Sequence, residues 1–317
     1  MSDKLVSVVG ATGAQGGSVI SALRKDGTFS IRAITRNPNS DAAKALSSQG
    51  VEVVKADVND YDSLVAAFSG SYAVYAVTDF FEPFGKLGPK GAVEIEVQQG
   101  VNLVKAAAAT STLEHYIWST LPNGKKITNG KFVVPHFEAK NQIDDYIRSD
   151  AALLSKTTFL WVTFYAQNFY FPMFTPIHVP TAEKYIQVQN TPPSVSILSI
   201  GDARANVGVF VKAILTQPEK TLPAKFVLAC VEETTAGDML QTWAKAQGKT
   251  AQYVQIDDKA YFDIWPMWAE EIGLMMQFWD AEGGNSWSGE AEILTKEDLN
   301  INERLVGIEE AFTTLKF

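Results

Sequence analysis

Residues suited to chemistry fall in three places along this 317-residue chain. The first is Gly10-Ala11-Thr12-Gly13-Ala14-Gln15-Gly16, with glycines spaced G-x-x-G-x-x-G directly behind the apolar run Leu5–Val9. Gly10 permits a tight turn out of a strand, and Gly13 lets backbone approach a diphosphate with no Cβ between them. Gly16 lets the following helix pack closely on a sheet. The start of that helix offers free N–H groups, from Thr12 through Ala14, Gln15 and Gly16, and the positive end of its dipole to phosphate oxygens. A glycine triplet also marks ordinary turns. Here a strand precedes it and a helix pattern follows, the context that a dinucleotide site requires.

The second place is Thr35-Arg36-Asn37-Pro38, at the end of the next strand-like run. A site for NAD normally carries Asp or Glu here to hold both ribose hydroxyls. Arg36, with Lys44 further on, suits a 2′-phosphate through charge and forked hydrogen bonding, so NADP(H) is the expected dinucleotide. The bland alternative has Arg36 solvating the sheet edge. Asp57 and Val58, after the third run, stand where adenine would lie, although Asp57 equally suits a cap for the helix beginning near Asp60. Thr78 and Ser119 close later strands, where a hydroxyl reaches a ligand or simply forms a turn. The third place is His136 and Lys140, one helical turn apart and so on one face.

The elements that position these groups alternate. Leu5–Val9, Ile31–Thr35, Val51–Lys55, Tyr72–Val77, His115–Ser119 and Thr158–Thr163 read as strands. Ser18–Lys25, Ser40–Ser48, Tyr61–Phe68, Ala92–Ala109 and Phe137–Arg148 read as the helices between them. Such alternation implies right-handed crossovers and a Rossmann-type, doubly wound parallel sheet of the α/β class. After residue 165 the rhythm changes. Aromatics and prolines crowd 165–193, and shorter elements follow: helices at Asp202–Leu215 and Ala236–Gln247, strands at Lys225–Cys230 and Tyr253–Ile256. The expected organisation is a dinucleotide-binding domain over 1–165 and a smaller α/β lobe over 166–317, closely packed on it, with a soft boundary.

Composition narrows the partners. With 46% hydrophobic and 20% charged residues, the chain is of ordinary globular type. A net charge of -9 argues against direct contact with nucleic acid or an anionic membrane surface. No apolar run approaches the roughly 18–20 residues that span a bilayer. Met1–Lys4 leads straight into the first strand, with no room for a signal peptide. The single cysteine, Cys230, excludes an intrachain disulfide and reads as a packed apolar residue. The three histidines lack zinc-ligand spacing. Cytoplasm is the expected compartment, with the nucleus as an alternative.

The loop GATGAQGG, the strand ending TRNP and the run HYIWSTLPN…HFEAKNQIDDYIR resemble the NmrA-like family of atypical short-chain dehydrogenase/reductases. The likeness is strongest over residues 4–170 and includes the segment from Tyr165 to Asn168. It implies that Lys140 takes the lysine position of the Tyr-x-x-x-Lys pair of that superfamily, holding the nicotinamide ribose, with Tyr165 and Asn168 beside the cofactor. The chain departs from the pattern at the tyrosine, where it has His136. A histidine can deliver a proton near neutral pH, but it can also be a mere helix-end residue. The resemblance therefore implies one of two functions. One is NADPH-dependent reduction of a carbonyl or conjugated double bond in a hydrophobic or aromatic small molecule, with aromatics such as Phe80, Phe81, Phe84, Phe171 and Trp268 available to line a pocket. The other is a non-enzymatic redox sensor whose NADP(H) occupancy controls docking to a regulatory protein.

Overall fold

Apolar runs with helices on both sides bury both faces, and parallel pairing follows. The computed structural model describes residues 4–316, so the lead-in Met1–Asp3 lies outside the described residues. In chain order the elements are β1 (Leu5–Val8), α1 (Ala14–Asp26), β2 (Ser30–Thr35), α2 (Asp41–Ser48), β3 (Glu52–Lys55) and α3 (Tyr61–Phe68). They continue with β4 (Ala73–Ala76), α4 (Phe81–Ala108), β5 (His115–Thr120), α5 (Gly124–Ile127), α6 (Pro135–Ser149) and β6 (Thr157–Val162). The main sheet has eight strands in the order Ile293–Leu294, Lys225–Ala229, β6, β5, β4, β1, β2, β3, and its pairs run parallel. This is the doubly wound sheet expected. Strand order reverses about β1, which has β2 on one side and β4 on the other. A crevice opens at the carboxyl ends of strands at such a switch point.

The segment after residue 165 contributes in two ways. Lys225–Ala229 and Ile293–Leu294 extend the main sheet beyond β6. Two three-stranded sheets stand apart from it. One joins Phe164–Tyr165, Ser196–Gly201 and Glu232–Thr235; the other joins Ile177–Val179, Lys184–Gln189 and Ala251–Gln255.

The helix expected from Ala92 begins at Phe81 instead. Gly88 breaks it with φ 67° and ψ −176°, and Pro89 restarts it, a place where the missing proline N–H costs nothing. A Gly-Pro pair inside a helical pattern hides the turns before it. Beyond the break, Ala92, Glu96, Gln99, Gly100, Leu103, Ala106 and Ala107 form the buried stripe of α4. That stripe packs on α6 at Gly100, where an added Cβ would sit 2.2 Å from Ile143 Cδ1.

Every residue of β4, β5 and β6 is buried. One core lies on the face covered by α4 and α6, with Trp118, Trp161 and Phe159. The other lies on the α1 face, with Val6, Val8, Val19 and Ile20. Among the described residues, no helix is long and apolar enough to cross a membrane.

Candidate functional site

The loop after β1 turns on Gly10, whose φ is +65°. Gly13 caps α1 with no side chain, and the first turn of α1 carries no acidic residue. The free N–H groups and positive dipole at this helix end therefore meet no competing protein anion in that turn. Gly16 is fixed by the fold itself: an added Cβ would lie 2.3 Å from the Gly10 carbonyl oxygen. Gly13 is less confined, its nearest such contact being that same oxygen at 3.3 Å.

This loop forms one wall of a cavity of about 400 Å³ at the carboxyl ends of the central strands. Gly10, Gly13, Ala14, Gln15, Gly16, Thr78, Ser119, His136, Lys140, Tyr165 and Asn168, all singled out from the sequence, line it together. Thr12, Arg36, Asp57 and Val58 do not line it.

Lys140 is buried on α6, not solvated. Its Nζ donates to Thr78 Oγ1 at 2.6 Å and to the Thr78 carbonyl at 3.2 Å, and lies 3.1 Å from Glu96 Oε1. Thr78 in turn donates to Glu96 at 2.6 Å. The ammonium is thus met by a fully buried carboxylate, the arrangement in which a buried charge is tolerated. The ammonium also lies 4.8 Å from the centre of the Trp118 ring. Glu96 is not among the residues the sequence singles out. Its signal was the helical period of α4, which sets a carboxylate in the same stripe as Ala92 and Gly100.

His136 follows Pro135 in the first turn of α6 and is 8% exposed, so it is not a solvated helix end. Its Nδ1 pairs with the Oε1 of Glu271, itself fully buried. Glu271 sits in the π-helical turn Ala269–Gly273, a rare element that recurs at functional sites. In the sequence its one signal is a carboxylate pair inside the apolar run Trp268–Met276.

Other polar groups are less available for proton transfer. Ser119 donates to Gln15 Oε1 at 2.8 Å, as does the Tyr75 hydroxyl at 2.6 Å. Burial, and secondarily the charge of Asp79, pushes the Tyr165 phenol up to about 12, so that it keeps its proton. Asn168 Oδ1 is buried with no hydrogen-bond partner among the described residues, an acceptor ready for a ligand donor.

Aromatic walls complete the cavity. Phe80, Phe81 and Phe171 line it as expected, joined by Phe174, Trp279 and Trp287. Trp268 stacks on Phe81 from behind, and Phe84 is fully buried 4.5 Å from Trp268.

The adenine-side residues fall differently. Asp60, not Asp57, caps α3, accepting from Ser63 N. Asp57 accepts instead from the backbone and side-chain nitrogens of Asn59. Arg36 is half exposed and ion-paired with Glu82 at 2.5 Å. That contact, reinforced by Asp57 and Asp79, raises its pKa. Cys230 follows its strand half-buried, near the Ser199 and Glu232 carbonyls, and burial pushes its thiol up, away from nucleophile behaviour.

A family model described as the NmrA-like family matches residues 2–303. An NmrA-like family domain-containing protein of Dictyostelium discoideum is 30% identical over 298 residues, 92% of this chain and 92% of its own length. The NmrA-like family domain-containing oxidoreductase hkm9 of Aspergillus hancockii is 28% identical over 292 residues, 89% of this chain and 84% of its own length. Among solved structures, that of NmrA, a negative transcriptional regulator, in complex with NADP has a TM-score of 0.76 at 18% identity. It covers 99% of this chain and 96% of that one, a likeness of fold. Sheet order, glycine loop and the match across nearly the whole sequence agree: this chain belongs to the NmrA-like family.

Proposed function

We propose that this protein is an NADPH-dependent reductase of a carbonyl or conjugated double bond in a hydrophobic or aromatic small molecule. One observation carries the reading: a single cavity joins the uncapped start of α1, the Lys140–Thr78–Glu96 cluster, the ring of His136 and a wall of aromatic side chains. Relatives named as oxidoreductases support it. The cavity lies within the range of small-molecule sites.

The residues fit a nicotinamide dinucleotide. The Gly10–Gly16 loop, Thr12 included, offers backbone N–H groups to the diphosphate. Arg36 answers the 2′-phosphate, and Asp57 and Val58 flank the adenine. Thr78, Ser119, Lys140, Tyr165 and Asn168 serve the nicotinamide half, where the orphan Asn168 oxygen is a ready acceptor. When bound, the reduced dinucleotide supplies the hydride. Lys140 holds the ribose by exchanging one of its present acceptors, and His136 supplies the proton. Tyr165 and Ser119 serve that step less well, one because its proton is held tightly and the other because its hydroxyl is committed to Gln15.

The test is single-turnover loss of NADPH absorbance across a panel of aromatic ketones, enones and quinones. Wild type should reduce at least one, and Lys140→Met should nearly abolish the reaction. Full activity in Lys140→Met removes the role given to that lysine. If no member of the panel is reduced, while NADP(H) binds tightly and alters protease sensitivity, the sensor reading replaces the reductase.

A further inference from the structure

Resting on the reductase reading, we propose that Glu271 is the positioning residue for proton delivery: it holds His136 with a proton on Nδ1 and Nε2 turned to the cavity. Three observations support the assignment. The Nδ1 of His136 is paired with Glu271 Oε1, and the same oxygen lies 3.5 Å from the His136 backbone nitrogen, so one carboxylate grips both the ring and its helix turn. Among the described residues, Nε2 has no hydrogen bond, although His136 lines the cavity. The other oxygen of Glu271 is buried and unpartnered, a cost that a packing role does not call for. An apolar side chain would fill the same place without it.

The chemistry follows from the ring. A carboxylate accepts and does not donate, so it selects the Nδ1–H form of a neutral imidazole and steadies the imidazolium. Both states leave Nε2 as the atom that exchanges a proton with the cavity. When the carbonyl carbon receives hydride, the C=O π pair moves to oxygen, and the proton on Nε2 of the imidazolium passes to that oxygen. The ring is left neutral, with Nδ1–H still on Glu271, and recovers its proton from water. The rings of Phe80 and Phe81, 5.9 and 5.5 Å from the imidazole, hold it sideways. Rotation of the ring thus cannot substitute for the carboxylate without repacking this wall.

Ring-nitrogen NMR of 15N-histidine-labelled protein without dinucleotide tests the assignment directly. The chain has three histidines, and His136→Phe identifies the signal. In the neutral ring of wild type, the proton should sit on Nδ1. In Glu271→Leu it should move to Nε2, the form that imidazole prefers without an acceptor. A wild-type ring protonated on Nε2 overturns the proposal with no variant needed, and leaves the reductase reading standing. For turnover, Glu271→Gln should lower kcat by between about tenfold and the ~10⁴-fold seen when a histidine loses its orienting carboxylate, with KM little changed. Equal kcat in Glu271→Gln and wild type also overturns it. Absence of turnover in wild type would remove the reaction for which the ring is held, whichever nitrogen carries the proton.

Discussion

At the scale of single residues, the cofactor preference turns on a competition. Arg36 is the residue proposed for a 2′-phosphate, yet its guanidinium already rests on Glu82, in the first turn of α4. Both partners are about half exposed, so the pair is held weakly and can exchange. A charge-assisted contact from Arg36 to the phosphate is worth ~1.5–3 kcal/mol, or ~10- to 100-fold in affinity. Arg36→Ala should therefore erase most of the preference for NADP(H) and barely change NAD(H) binding. Glu82→Gln should do the reverse, tightening NADP(H) severalfold by removing the competing carboxylate. Calorimetry with both dinucleotides decides: equal losses for the two in Arg36→Ala would make the arginine structural.

Residues of this kind were legible when their partners were close in sequence or unnecessary. The glycine loop and the His136/Lys140 pair show themselves in a few letters, and the structure brings them to one cavity. Glu271 was invisible as a partner of His136, because 135 residues separate them. Glu96 was readable only after α4 was recognised as a helix with one buried face.

At the scale of elements, the site depends on how closely α4 and α6 approach, since one carries Glu96 and the other Lys140 and His136. Gly100 sets that approach against Ile143, a fully buried side chain. Gly100→Ala must displace Ile143 or part the helices, an overpacking cost of ~1–3 kcal/mol. Ile143→Ala removes Cδ1, Cγ1 and Cγ2, which would lie 2.2, 2.5 and 3.0 Å from the added Cβ, and by itself costs ~2–5 kcal/mol. The double variant should be more stable than the sum of the single losses by at least ~0.5 kcal/mol, beyond the scatter of independent sites. Strictly additive urea-unfolding energies would mean that α4 and α6 do not bear on each other here.

The same scale explains which elements could be read. From β1 to β5 the strands alternate with helices that carry their own period, and β1, β4 and β5 are largely buried, so local pattern and final position agree even though β3, at the sheet edge, is half-exposed. Past residue 165, short strands such as Ile177–Val179 and Glu232–Thr235 carry half-buried or exposed residues. Their state is set by pairing across the fold, which no local period reveals. The parallel pairing of Lys225–Ala229 with β6 and Ile293–Leu294 is likewise a long-range event.

At the scale of the whole molecule, two buried titratable groups oppose each other across the acid range. Asp144 on α6 accepts from Trp118 Nε1 and Thr120 Oγ1 at 2.8 Å each, beneath β5. Burial nonetheless pushes its pKa to about 7, against an ordinary 3.8. The stability this group contributes is fully present below the unfolded pKa and is lost as pH rises toward 7, because the folded chain holds the proton more tightly. His115, at the start of β5, bonds Thr158 through Nε2 at 2.8 Å, and burial lowers its pKa to about 4, from 6.5. Its sign is the opposite: its contribution is intact above 6.5 and is lost as pH falls toward 4. The two losses overlap between about pH 4 and 7 and run in opposite directions, so wild-type stability should vary less there than either group alone dictates. Each pKa unit is worth ~1.36 kcal/mol, so each group spans on the order of 2–4 kcal/mol. Asp144→Asn leaves an oxygen to accept from Trp118 and Thr120 while removing the ionisation, and so uncovers His115. Relative to wild type, that variant should gain stability steadily as pH rises from 4.5 to 7.5, whatever its offset at any one pH. Chemical denaturation of both proteins at several pH values across this window measures the difference. A constant gap between the two curves would show that Asp144 does not change its protonation on folding.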